Sequence, residues 1–159
     1  MGLFDIFKKN KKETQKQEYV KDVIFQTEEK NKNLDLEQEK SLEILKKILK
    51  ALHEKRYADV ANYVDQSEID NLEDFLSGPV QETLDINNYD TIDEYGVECK
   101  FHPQYEYSQI TIGKYNDNGD FYLEYDLTSN GEKIDLVLQL DFKHTENGLK
   151  CIFDNIDPQ

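Results

Sequence analysis

The sequence has no Trp, one Met, two Cys, three Pro and seven Gly in 159 residues, and several of these scarcities remove a class of protein. Cys99 and Cys151 are too few for a disulfide framework or a zinc knuckle. Both stand at apolar positions of predicted strands, which suits small buried thiols. The glycines are scattered singly, so no glycine-rich phosphate loop exists and no nucleotide cofactor is expected. HxH, HExxH, CxxC and GxSxG are all absent, leaving no signature of a metal centre or a serine nucleophile. No run approaches the roughly 18 apolar residues that a bilayer span needs. Met1 to Phe7 is too short for the apolar centre of a secretory leader, and Lys8 to Lys12 lie on its wrong side. The expected location is cytoplasmic.

Positive charge is scarce too. Nineteen Lys and Arg face thirty-four Asp and Glu, a net charge of −15 and a pI near 4.5. Such a surface repels phosphate backbones, so no nucleic-acid partner is expected. What is present suffices for a core: 37% hydrophobic and 11% aromatic residues, with ten Tyr and eight Phe, a usage that favours strands. The length fits one domain.

The charge is uneven. From Tyr57 to Cys99 there are twelve acids and no Lys or Arg, whereas residues 1–12 carry a net +3. In that opening segment Leu3, Phe4, Ile6 and Phe7 precede Lys8 and Lys9, an amphipathic pattern suited to peripheral contact with an anionic membrane surface. Ile6 stands where a myristoylation pattern needs Ser or Thr. The segment equally fits a first turn docked on the domain. Residues 1–33 are therefore set apart as a basic segment followed by a polar helix or arm, with residues 34–159 as a single α+β domain.

Helices are expected over 35–84. Leu42, Leu45, Leu49 and Leu52, widened by Ile44, Ile48 and Ala51, predict a packed helix from about Asp35 to Lys55, with Glu43 paired to Lys47. Tyr57, Val60, Ala61 and Val64 predict a short second helix. Ser67 followed by Asp70 reads as a capping box for a third through Ile69, Leu72, Phe75 and Leu76, stopped by Ser77-Gly78-Pro79. Pro79 also suits the start of one more turn, through Leu84. Asp85 to Glu94 is an acidic link pinned by Ile86, Tyr89 and Ile92.

From there the period becomes two, predicting an antiparallel sheet over 95–156. Its strands are marked by Tyr95, Val97, Cys99 and Phe101, then Tyr105 to Ile112, Phe121 to Leu127, Ile134 to Phe142, and Leu149 to Phe153. Asn116 to Gly119, Ser129-Asn130-Gly131 and Asn147-Gly148 are the turns between them. The expected fold is N-terminal helices packed on a curved four- to five-stranded antiparallel sheet.

The segment Leu52-His53-Glu54-Lys55-Arg56-Tyr57-Ala58-Asp59-Val60-Ala61 resembles the helix-break-helix opening of the nuclear transport factor 2-like (cystatin-like) cone. The resemblance would span residues 37–157. It implies a pocket between sheet and helices, suited to a small molecule or to a cofactor-free isomerase or dehydratase. A plain α+β sandwich of another family is the alternative fold. No catalytic residue, cofactor or metal is assigned. His53, His102 and His144 show no ligand spacing, and Asp117 to Asp120 does not meet the calcium-loop pattern.

Tyrosines interleaved with carboxylates suit an interface that receives a basic protein. The candidate partner-binding residues are Tyr57, Asp59, Tyr63, Asp65, Glu68, Asp70, Glu73 and Asp74. A small acidic α+β protein of this type is similar to bacterial immunity proteins, which neutralise cationic toxin domains. That resemblance implies a stoichiometric inhibitor.

Overall fold

The computed structural model describes residues 36–97, 109–115 and 119–158. The expected membrane-contact residues Leu3, Phe4, Ile6, Phe7, Lys8 and Lys9 lie outside them, as do Cys99, Phe101, His102, Tyr105 and Tyr107.

Helix α1, Leu36–His53, buries Leu45, Ile48, Leu49, Ala51 and Leu52 along the stripe that the spacing predicts. Its end is a Schellman motif: Lys55 turns left-handed at φ 58, Lys55 N–H donates to Leu52 O, and Arg56 N–H to Ala51 O. On the solvent side Glu43 pairs with Lys46 at 3.6 Å, one residue short of the expected Lys47.

Helix α2, Tyr57–Val60, runs into a 3₁₀ turn at Ala61–Tyr63. Strand β1 is the pair Gln66–Ser67. Ser67 therefore caps no helix. Its hydroxyl exchanges hydrogen bonds with the Ile69 backbone, and the next helix, α3 (Leu72–Phe75), is capped by Asn71, which accepts Asp74 N–H at 3.1 Å. Ser77-Gly78-Pro79 does not stop that helix either. The chain passes through a π-helical turn, Leu76–Val80, directly into α4, Gln81–Ile86. Pro79 lacks an N–H and its ring would strike the Phe75 carbonyl in a regular α-turn; the wider turn makes room.

The acidic link is held to the body by its backbone and by Asp93. His53 Nδ1 lies 2.8 Å from Ile92 O, and the Thr91 hydroxyl donates to His53 O. The buried Asp93 carboxylate accepts from the Thr128 hydroxyl and from the N–H groups of Asn130 and Gly131, at 2.7–2.8 Å. Ile92 is buried as expected, but Ile86 is 74% exposed and pins nothing. Tyr95 to Val97 is turn and coil, not strand, because Gly96 at φ 96 turns the chain.

The remaining strands are β2 (Ile110–Lys114), β3 (Phe121–Ser129), β4 (Glu132–Thr145) and β5 (Gly148–Pro158). They pair antiparallel in sequence order. Between β3 and β4, Asn130 and Gly131 both have positive φ, the backbone of a type I′ turn. The sheet order is β1-β5-β4-β3-β2, and β1 lies parallel to β5, with Gln66 beside Ile152 and Ser67 beside Phe153. Among the described residues the sheet is thus five-stranded, mixed and open, not purely antiparallel. Its fifth strand comes from the helical half, where polar Gln66 and Ser67 carry no alternation.

One face of the sheet meets every described helix. Ile110, Ile112, Phe121, Leu123, Tyr125, Leu127, Leu138, Leu140, Phe142 and Phe153 join the helical residues in a single apolar cluster. Cys151 is buried there as a free thiol, its pKa pushed up to about 12 by burial and the nearby Asp65 and Asp141 charges. The strand alternation sends the intervening residues to the opposite face.

Candidate functional site

That outer face is acidic. Register places Tyr122, Glu124 and Asp126 of β3 beside Asp141, Gln139 and Val137 of β4; across β4, Asp141 faces Ile152, Gln139 faces Asn155 and Val137 faces Asp157. Two irregularities shape the face. On β5, Leu140 pairs with Phe153 but Gln139 with Asn155, so Asp154 is the extra residue of a bulge. On β4, residues 134–136 stand against Leu127 alone, with Asp135 left-handed at φ 58.

Aromatic rings cross one side of this surface. The Tyr122 ring lies over Gly113, where an added Cβ would come within 2.4 Å of it. Tyr115 packs against Tyr122 at 5.4 Å between ring centres, and its hydroxyl donates to Asp141. A side chain at position 113 would displace that arrangement.

The carboxylates interact with each other. Asp154 is pushed up to about 6, first by burial and then by the charges of Asp141, Asp157, Glu68 and Glu124. Burial also raises Asp141, opposed by the Tyr115 hydrogen bond and Lys143, with Glu68 and Asp120 adding to the rise. Asp157 is raised by burial. Asp126 reaches about 6 through burial, with Lys133 opposing and Asp135 reinforcing the shift. Ionising these groups together is unfavourable, and a cation brought to the face relieves it. No group of three or more His, Cys, Asp or Glu among the described residues is placed to hold a metal ion.

The eight predicted partner-binding residues are differently engaged. Glu68 is exposed at the end of β1, its N–H bonded to Phe153 O, and its charge reaches Asp141 and Asp154. It belongs to the outer-face cluster. Asp65 is committed to structure: its carboxylate accepts Cys151 N–H at 2.8 Å and holds β1 beside β5. Asp59 is engaged by Arg56, which Glu54 and Tyr63 also hold. Tyr57 and Tyr63 are half-buried against the core, and the Tyr57 hydroxyl donates to Gln81. Asp70, Glu73 and Asp74 are exposed around the start of α3.

A family model described as Domain of unknown function (DUF7668) matches residues 49–159. The chain belongs to that family. Nothing among curated proteins or solved structures matches it. The DUF7668 stretch opens inside α1 and contains the whole sheet, the outer-face acids and all eight predicted residues.

Asp141, Asp154 and Asp157 are candidates that the apolar phase of the strands does not mark. Their signal is the polar phase: Glu124 and Asp126 alternate with Leu123, Tyr125 and Leu127, and Asp141 stands between Leu140 and Phe142. His144 forms a separate clamp. Its Nε2 lies 2.6 Å from Glu37 Oε2 and its Nδ1 3.2 Å from Asp120 Oδ1, which also accepts His144 N–H. These bonds, to Asp120 first and Glu37 second, raise its pKa. The clamp joins the start of α1 to the ends of β3 and β4. No helix among the described residues is long and apolar enough to cross a membrane.

Proposed function

We propose that this chain is a protein-binding module whose acidic outer sheet face receives a basic partner. The observation that carries the reading is the gathering of Asp141, Asp154 and Asp157 on one sheet face near Glu68, where burial holds the three aspartates above their ordinary range and neighbouring charges add to the rise of Asp141 and Asp154. Lysine or arginine side chains of a partner would offset those charges, and the half-exposed Tyr115 and Tyr122 would supply contact area. Neutralising a cationic toxin domain, as the immunity proteins it resembles in type do, is one form of such binding. Nucleic acid is the wrong charge for this face.

Against the pocket reading stands the filling of the helix-facing side. Phe142, Phe153, Leu45, Ile48 and Leu138 meet there, in a sheet that is open and not a closed cone.

Calorimetric titration with an octalysine peptide, at low and high salt, tests the proposal. The wild type is expected to bind, more weakly as salt rises. D154K/D157K is expected to lose at least about tenfold in affinity, and D70K/D74K much less. Equal binding by wild type and D154K/D157K would remove the sheet face from the account; a loss only in D70K/D74K would return the site to the helical acids.

A further inference from the structure

Three of the seven glycines follow an asparagine, in Asn118-Gly119, Asn130-Gly131 and Asn147-Gly148. Asn118 lies outside the described residues, and the other two pairs sit in the turns that join β3 to β4 and β4 to β5. An asparagine before glycine carries a latent reaction. Glycine has no Cβ to shield its main-chain nitrogen or to restrict the turn, so that nitrogen can reach the carbonyl carbon of the preceding side chain. Asn130 and Asn147 are both exposed, so access of solvent to the amide does not separate them. The nitrogen that follows each one does.

At Asn130 the attacking group is held. Gly131 is buried and its N–H donates to Asp93 Oδ2 at 2.7 Å, while Asn130 N–H donates to Oδ1 of the same carboxylate at 2.8 Å. Asp93 is itself buried, and its own N–H donates to Thr128 O. Removing the Gly131 proton would set an anionic nitrogen against a buried carboxylate, and turning the peptide towards the Asn130 side chain would break a charge-assisted bond. At Asn147 the surroundings are reversed. Thr145 and Gly148 form the last pair of the β4–β5 ladder, and Asn147 and Gly148 are exposed at its tip. The space that a side chain on Gly148 would take is empty. The Thr145 hydroxyl accepts Asn147 N–H at 3.2 Å and donates to Gly148 O at 2.8 Å, and neither bond engages the Asn147 side chain.

We propose that Asn147 is a modification site, at which the side-chain amide cyclises onto the Gly148 nitrogen and is converted to aspartate and isoaspartate while Asn130 stays intact. In the first step the Gly148 nitrogen gives its proton to solvent and bonds to Asn147 Cγ. The Cγ–Nδ2 bond breaks, and the amide nitrogen takes a proton from water and leaves as ammonia. Water then opens the succinimide ring. Opening at the side-chain carbonyl gives aspartate, and opening at the main-chain carbonyl gives isoaspartate. Isoaspartate adds a carbon to the main chain between the two bonds that Thr145 makes, and His144, the preceding residue of β4, bridges Glu37 and Asp120. Modification at position 147 therefore loosens the start of α1 from the sheet.

The full chain is incubated at mildly alkaline pH, in native buffer and in denaturant, and mapped by peptide mass spectrometry. In native buffer position 147 is expected to convert at least about tenfold faster than position 130, the factor that one hydrogen bond to a charged acceptor supplies. In denaturant the two are expected to convert at similar rates, since glycine follows both. Equal native rates, or no conversion at position 147, would overturn the proposal, and a difference that persists in denaturant would overturn its structural cause. The isoaspartate form, separated by its added negative charge, is expected to show shifted His144 ring resonances, whereas N147Q incubated in the same way keeps its own. Unshifted His144 resonances in the isoaspartate form would overturn the loosening of α1.

Discussion

Replacing Asp154 by Asn removes one carboxylate from the outer face while keeping its shape. The carboxyl moves from 3.8 to about 6 on folding. At about 1.36 kcal/mol per pKa unit, ionising it at pH 7 costs the folded chain about 3 kcal/mol relative to the unfolded one. Asp154 is partly exposed and water screens it, so about 1–2 kcal/mol is the expected effect. Because the folded pKa is the higher one, the native state binds the proton more tightly, and stability falls as pH rises from 3.8 towards and through 6. D154N should therefore stabilise at pH 7 by about 1–2 kcal/mol, a melting rise of about 3–8 °C. The gain should shrink on acidification and vanish by about pH 4. Denaturant titrations of both chains at pH 7, 5.5 and 4 measure it, and octalysine binding at pH 7 should weaken in parallel. A destabilised D154N at pH 7, or a gain of equal size at pH 4, would refute the electrostatic reasoning.

Three other substitutions probe the frame. K55G relieves a left-handed side chain at the end of α1 and should stabilise by about 0.5–1 kcal/mol in denaturant melts. D93A leaves the N–H groups of Asn130 and Gly131 and the Thr128 hydroxyl without their acceptor, and should cost about 2–4 kcal/mol by the same assay. H144Q tests the clamp between Glu37 and Asp120. The raised imidazole pKa makes its stabilisation full below about pH 6.5 and lost as pH rises through the folded value, so the melting-temperature deficit of H144Q should be larger at pH 6 than at pH 9.

Where the sequence carried a period, it placed the elements well. The leucine stripe located α1, the alternation from Phe121 to Phe153 located β3, β4 and β5, and Asn130-Gly131 marked its own turn. The failures share a cause: each depends on contacts distant in sequence. Gln66 and Ser67 become a strand only because β5 lies beside them. Pro79 reads as a stop, and the packing of Leu76 and Val80 on both sides keeps the chain helical around it. Bulges at Asp154 and Asp135 shift the phase of their strands, and a strict period of two cannot register them.

The candidate site was harder to read because composition counts charges without weighing them. Twelve acids without a cation from Tyr57 to Cys99 drew attention to the helical half, yet three acids there serve the fold. Asp59 holds Arg56, Asp65 holds β5, and Asp93 holds the β3–β4 turn. Asp70, Glu73 and Asp74 are exposed, and solvated charges of that kind cost little and specify little. Fewer acids stand on the outer face, but they are partly withdrawn from water and set against one another. A sheet face of threonine and glutamine would be more stable. The carboxylates there lower stability at neutral pH, and a cationic occupant is the simplest means of offsetting that cost. Local charge under desolvation, more than net charge, therefore carries the proposal that this face receives a basic partner.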